Sequence, residues 1–435
     1  MHSSDPFYRL DNSAILTAAI ADESGPFVFR FSCSLDATVD ADALSRSMAR
    51  LATRFPYFYV SMGRGVFWHY FDPLRKVPLP AAEGQFPASP MPYRRGRPLF
   101  RVLAYGRRIA CEFHHAITDG TGAIAYLRAL VCDYFILKGI EVAPAELDRM
   151  GIPRASADPD PEECEDAYAR YFTKSVPPPD PRPQAFLLPG RRRYEGYRET
   201  IGTASVADVL ATARSMKASL TEFVAAVYLA ALQDIYEALP PGRKRRARKI
   251  LAIQIPINLR NLYPSRSLRN FTLLASPTLD LRLGHWDFDE IVARVHHELR
   301  LGLTTKELVR QLKRNVGGER NILGRSLFLP LKALALRRIN AGLVVKTYSG
   351  SVSNLGEVTL PEAVAGHVEA FGFLPSRSEA ACANMGVISW NGILAMTIGS
   401  LAVEREFERL FYSRMASFGF AVQVACNEAF QGESP

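Results

Sequence analysis

The chain has 435 residues, enough for two or three domains and for a core that needs neither disulfides nor a structural metal. With 48% hydrophobic, 22% charged and 10% aromatic residues, its composition excludes a disordered, collagen-like or coiled-coil chain. The 53 Lys and Arg outnumber the 44 Asp and Glu, a thinly spread excess that mildly favours anionic ligands; the basic runs Arg94–Arg97, Arg191–Arg193 and Arg243–Lys249 have no zinc-finger spacing or RNP-type aromatics beside them, so nucleic acid is not expected.

The opening Met1-His2-Ser3-Ser4-Asp5-Pro6 lacks a basic stretch followed by an apolar run, so it does not read as a signal peptide and a cytoplasmic location is expected. Phe27–Phe31 reads as a strand, and Asp40 opens a helix with the apolar stripe Leu44, Met48 and Leu51. Aromatic strands at Tyr57–Val60 and Val66–Tyr70 flank the turn Gly63-Arg64-Gly65. A second hairpin pairs Phe100–Tyr105 with Ile109–His114 around Gly106, and all four strands are expected in one sheet. Thr121–Lys138 is helical and apolar on most sides, so it should lie against that sheet.

Residues 176–196, rich in proline and then arginine, can form neither a helix nor a central strand and read as a crossover. They divide the chain into an N-terminal lobe, 1–175, and a C-terminal lobe, 197–435. In the second lobe, helices are expected near 206–218 and 221–238, strands at Ile250–Ile257 and near Thr278–Leu283, and helices near 287–315 and 327–341. Gly386–Trp390 and Ile393–Ile398 form a hairpin on Asn391-Gly392, and a helix near 403–417 follows. The longest apolar run, Phe223–Leu232, is about half of a membrane span, so no transmembrane segment is expected. Cysteines at 33, 111, 132, 164, 382 and 426 are too far apart for a CxxC-type site and read as buried thiols.

One constellation carries chemistry: Phe113-His114-His115-Ala116-Ile117-Thr118-Asp119-Gly120, at the junction of a strand and the long helix. A neutral imidazole can take a proton from a hydroxyl or amine at neutral pH, and a strand end holds it rigidly. Asp119 lies across a turn, placed to orient the loop or to pair with a distant arginine. Gly120, without a side chain, would leave room for a substrate and free backbone N–H groups at the helix N-terminus. By contrast His296-His297 sits inside a helical pattern with no Asp-Gly after it, and His69 is explained by a half-exposed strand.

The motif His-His-x-x-x-Asp-Gly at 114–120 resembles the acyltransferase superfamily of chloramphenicol acetyltransferase, plant acyl-CoA acyltransferases, peptide-synthetase condensation domains and alcohol acetyltransferases. The resemblance extends to Pro98-Leu99-Phe100-Arg101, Pro256-Ile257-Asn258-Leu259-Arg260 and Ser351-Val352-Ser353-Asn354-Leu355-Gly356. Tyr8-Arg9-Leu10-Asp11-Asn12, Arg54-Phe55-Pro56 and Phe67-Trp68-His69-Tyr70 look like the stand-alone alcohol acetyltransferase branch. The resemblance implies an α/β fold of two similar lobes, each a mixed sheet with flanking helices, and an active-site tunnel between them. His115 would be the general base, His114 mainly structural, and Asp119 an ion-pair residue with Arg260 as candidate partner. No metal and no acyl-enzyme are implied. The plant branch's Asp-Phe-Gly-Trp-Gly string is absent; Ser353 and Asn354 stand in the corresponding stretch as candidate oxyanion or substrate contacts.

The expected activity is transfer of a short acyl group from acyl-CoA, as co-substrate, to a small alcohol or amine acceptor, with an alcohol O-acetyltransferase as the narrowest reading. A free-standing condensation-type enzyme would take its acyl group from a carrier protein instead, with the 243–249 cluster as a docking surface. A non-catalytic ligand-binding relative is the third reading, against which stand the retained His114, His115, Asp119 and Gly120.

Overall fold

The structure, a computed structural model, describes residues 8–22, 25–84, 86–173, 176–193, 196–319, 328–339, 346–378 and 383–428. Met1–Pro6, Cys382 and the ends of the helix expected near 327–341 lie outside the described residues.

Alternation of side chains builds the first sheet. Strands β1 (Val28–Leu35), β2 (Val60–Arg64), β3 (His69–Pro73), β4 (Ala81–Ala82), β5 (Phe100–Tyr105) and β6 (Arg108–His114) come from the first half of the chain. Phe29, Phe31, Phe100 and Phe113 share one face of β1, β5 and β6 and pack against Tyr126 and Leu130 of the helix Gly120–Leu137. That helix is long and apolar enough, by length and composition, to cross a membrane, contrary to the expectation from the longest apolar run. Two thirds of it (67%) is nevertheless buried inside the protein, between the sheet and the helix Ala41–Arg54.

The second half supplies β7 (Arg198–Ser205), β8 (Ile250–Asn258), β9 (Thr272–Ala275), β10 (Thr278–Asp280), β11 (Gly350–Glu357), β12 (Val368–Leu374), β13 (Ala383–Trp390), β14 (Ile393–Ser400) and β15 (Gln423–Cys426). Its sheet runs β10-β8-β11-β13-β14-β7-β15, with β9 paired to β8; β11 is parallel to both neighbours and the other pairs are antiparallel. The helix Leu220–Glu237, apolar almost all round, is buried between this sheet and the helices Phe288–Gly302 and Glu406–Ser417. A capping box of Ser219 and Glu222 starts it.

The exception to this division is β12. It comes from the second half of the chain but pairs antiparallel with β1, from Arg30↔Leu374 to Leu35↔Val368, giving the first sheet the order β12-β1-β6-β5-β4. A cut at 176–196 therefore separates the halves of the chain but not the two sheets. Residues 185, 186 and 188 of the crossover are buried, and its backbone bonds to Lys346 and Ile250, so it is packed onto the second half. Between the sheets lie Arg30, Glu83 and Glu112, an ion-paired group whose positive member also feels Glu199 of β7.

Several sequence expectations shift in register. The turn expected at Gly63–Gly65 lies instead at Gly65–Trp68, where Gly65 N donates to Trp68 O at 2.8 Å; Gly63 is inside β2, lying under the Tyr70 ring. β2 and β3 form their own two-stranded sheet rather than joining β5 and β6. The helix expected over 287–315 is two helices, Phe288–Gly302 and Thr305–Glu319, because Thr304 bonds back to Leu301 and its carbonyl then opens the next helix. Cys33, Cys111 and Cys132 are buried, while Cys164 and Cys426 are half-buried, all with free thiols.

The two sheets meet where Gly386 of β13 faces β12. A Cβ there would stand 2.2 Å from Phe373 O, and a carbonyl in a paired strand has no room to withdraw. Gly386→Ala is expected to cost about 1–3 kcal/mol in urea unfolding, the usual penalty of overpacking. An unchanged midpoint would mean that the sheets do not press together at this point.

Candidate active site

Strand alternation places Phe113 on the core face and His114 on the other, and β6 ends there. His115 to Ile117 form a turn, after which Asp119 caps the helix Gly120–Leu137. Two backbone bonds fix the turn: His114 N to Leu99 O at 2.9 Å and His115 N to Phe27 O at 2.8 Å. Phe27 has φ 52°, a left-handed conformation rare for a bulky residue and held here by that bond.

The two histidines differ in what their rings can do. His114 is fully buried; its Nδ1 accepts from Ala116 N at 3.0 Å, so in the neutral ring the proton is on Nε2, which meets Tyr93 Oη at 2.8 Å. Burial, helped by His115, pushes its pKa down to about 3. Both ring nitrogens are engaged and neither is free for a substrate. His115 is half-buried, its ring tilted over Phe29 at 4.4 Å between centroids. Burial lowers its pKa too, against the opposing pull of Asp119, Asn270 and Thr118, so it is a neutral base at physiological pH.

Asp119 and Arg260 are brought together. Asp119 Oδ1 accepts from Thr121 N at 3.1 Å and Gly122 N at 3.3 Å; Oδ2 accepts from Arg260 Nη1 at 2.9 Å and Phe271 N at 2.8 Å. Arg260 in turn donates to Ser267 O at 2.6 Å, to Asn258 Oδ1 at 3.1 Å and to Arg269 O. The helix N-terminal amides expected to be free are thus occupied by the cap. The space over Gly120 is also taken: Leu355 Cδ2 lies 2.8 Å from where a Cβ would be, so β11 abuts the motif helix. Gly122 is a close approach of the same kind, with Leu268 O 2.0 Å from its missing Cβ.

Ser353 and Asn354 sit in β11, two and one residues before Leu355. Asn354 donates from Nδ2 to Thr221 Oγ1 at 2.9 Å and accepts from Gly356 N at 2.9 Å, both partners in the second half. Ser353 is half-buried and pairs with Gly386. His296 lies beside Glu222 at 3.2 Å, on a helix. The basic cluster forms an exposed short helix, Pro241–Arg246, before the start of β8. Arg260 follows the other end of that strand, roughly 26 Å away by strand rise.

Sequence reasoning missed Asn270. Its Nδ2 donates to His115 O at 2.8 Å and to Asp11 Oδ2 at 3.2 Å. Asp11 is buried, caps the helix Asn12–Ile20 and pairs with Arg269 at 3.4 Å. A lone asparagine in a loop carries no pattern; Asp11, in an Asp-Asn-Ser-Ala helix start, was the available signal. Among the described residues, no three His, Cys, Asp or Glu side chains gather as a metal site.

Solved structures share this fold over nearly the whole chain. Polyketide synthase associated protein 5 from Mycobacterium tuberculosis is 15% identical with a TM-score of 0.56, covering 96% of this chain and 98% of that one. The first condensation domain of the calcium-dependent antibiotic synthetase, 15% identical, has a TM-score of 0.59 and 96% coverage of each chain. A trichothecene 15-O-acetyltransferase from Fusarium sporotrichioides, 11% identical, has a TM-score of 0.60 with the same coverage. The fold is therefore the two-lobed α/β fold of condensation domains and chloramphenicol acetyltransferase-like proteins. No protein-family model and no curated protein matches the chain in sequence.

Two predictions follow from the geometry. Asp119→Asn would turn an amide N–H toward Arg260 or the capped amides, and breaking a buried pair from one side costs about 3–5 kcal/mol. In a double-mutant cycle with Arg260→Met the two losses should be less than additive by about 0.5–3 kcal/mol; strict additivity would refute the coupling. For His114, the folded protein binds fewer protons than the unfolded chain between about 3 and the ordinary imidazole value near 6.5. Its contribution to stability is complete above that window and is lost as pH falls through it, by up to about 1.4 kcal/mol per pH unit. His69, lowered by burial to about 4, adds to the same slope. His114→Gln should flatten the acid limb of urea midpoint against pH by about one proton.

Proposed function

We propose that the protein is an acyltransferase that moves an acyl group from a thioester to a hydroxyl, with His115 as general base. One observation supports this above the rest: a neutral, half-buried imidazole stands where the two halves of the chain meet, fixed through its backbone by Phe27 and Asn270. The condensation and acetyltransferase folds that the chain shares agree with that chemistry.

In the proposed step the acceptor hydroxyl gives its proton to a ring nitrogen of His115 as its oxygen bonds to the thioester carbonyl carbon. The tetrahedral intermediate then expels the thiolate, the C–S bond breaks, and His115 returns the proton to sulfur. The ester and the free thiol leave, and no covalent enzyme intermediate forms. His114 keeps the strand end in place, and Asp119 with Arg260 holds the motif loop against the second half. For the developing oxyanion, Ser353 is the better candidate, since Asn354 is committed to Thr221 and Gly356. The donor we propose is acyl-CoA and the acceptor a small alcohol, reached through a tunnel between the lobes. The same base would serve a carrier-protein thioester, the reading favoured by the likeness to condensation domains.

Purified protein is tested with a panel of acyl-CoAs and alcohol or amine acceptors, following free thiol release, beside the same acyl groups on a carrier protein. Turnover from acyl-CoA supports the first donor; turnover from the carrier alone replaces it with the second. His115→Ala should lose roughly 10² to 10⁴ in turnover with little change in melting temperature. Full activity in that variant would refute the mechanism, and no turnover from either donor would favour a ligand-binding role.

A further inference from the structure

The tip of the β2–β3 hairpin and the helix Leu329–Ile339 carry large apolar side chains on the outside of the protein. Val66, Phe67, Trp68, Phe328, Leu331 and Leu334 are between 42% and 61% exposed. The two elements form one surface: Leu329 N donates to Val66 O at 3.0 Å, and Lys332 Nζ donates to Phe67 O at 2.9 Å and lies 5.0 Å over the Trp68 ring. The helix is anchored from behind by buried Leu329, by packing on the helix Asn12–Ile20, and by Arg337 Nε donating to Ala19 O at 3.1 Å. Its outward face is thus apolar where an ordinary surface helix is polar.

The two segments that carry the patch are predominantly basic. Residues 60–79 and 328–339 hold Arg64, Arg75, Lys76, Lys332, Arg337 and Arg338 against the single acid Asp72, which is paired with Arg95 at 2.7 Å. A second copy of this chain would bring two positive faces together. Exposed Trp, Phe and Leu interleaved with Lys and Arg are instead the pattern of a protein seated in the headgroup layer of an anionic membrane.

We infer that this face docks on an anionic lipid surface, with the hairpin tip and the outer side of the helix Leu329–Ile339 inserted and the surrounding cations on the lipid headgroups. The attachment is peripheral and reversible, and it is independent of the reaction proposed for His115.

The test is sedimentation with vesicles of phosphatidylcholine, with and without phosphatidylglycerol, at physiological and high salt. Adding the anionic lipid should raise the bound fraction at low protein by about tenfold or more, and high salt should reverse the gain. Phe67→Ser with Leu331→Ser should lower binding by about tenfold, while Lys332→Glu with Arg338→Glu should abolish the preference for phosphatidylglycerol. Of the three tryptophans, Trp390 is buried and Trp68 is half exposed, so vesicles should blue-shift the emission and Trp68→Phe should remove that shift. Absence of binding by the folded protein, binding unchanged in both double variants, or concentration-dependent dimerisation lost in the Phe67 variant would each overturn the proposal.

Discussion

Asp119 has two carboxylate oxygens and gives one to each half of the chain. Oδ1 is the cap of the long apolar helix of the first half, and Oδ2 receives a guanidinium and a backbone amide from the second. A buried carboxylate is costly unless every lone pair is met, and here four donors meet it. The condition is mutual, because Arg260 is also held by two backbone carbonyls and an asparagine oxygen and cannot follow the aspartate elsewhere. The segment 258–271 therefore has one position relative to the motif turn. Asn270, carried on that segment next to Phe271 and also bonded to Asp11, reaches the carbonyl of His115. The placement of His115, the base we propose, is thus tied to an ion pair that does not itself touch its ring.

Around that tie the adjacent histidines divide their tasks by environment alone. Consecutive residues at a strand end point to opposite sides, so one ring goes under the sheet and the other to the junction of the halves. The buried ring is saturated by Ala116 and Tyr93, and its loss of basicity leaves no second positive charge beside His115. His115 keeps partial exposure and an aromatic partner in Phe29, which fixes its plane without using a ring nitrogen.

What the sequence revealed followed the range of each signal. Asn391-Gly392 is a local signal and sets the β13–β14 turn, whereas Asp119 reads from the sequence as a loop-orienting or ion-pairing residue and is found also to cap the helix that begins one residue after it. The pairing of Asp119 with Arg260 spans 141 residues, and only the resemblance of the Pro256–Arg260 stretch suggested it. Where a residue type has two uses, the sequence was ambiguous. Gly63 reads as a turn but makes room for Tyr70, and Gly120 reads as space for a substrate but makes room for Leu355. The N–H groups offered by a helix start were misjudged because the same aspartate that marks the start also consumes them. Asn270 and the strand β12 gave no warning, since their partners lie far away in the chain and their own surroundings are ordinary.

The position of β12 also has a consequence for synthesis on the ribosome. β1 is made early, yet one of its two edges stays unpaired until β12 has emerged, about 340 residues later and on the order of 20–70 s at the usual elongation rates. During that interval the nascent chain displays an open β-edge with Phe29, Phe31 and Cys33 beside it, a surface that invites pairing with other chains. The first sheet is therefore completed only near the end of translation.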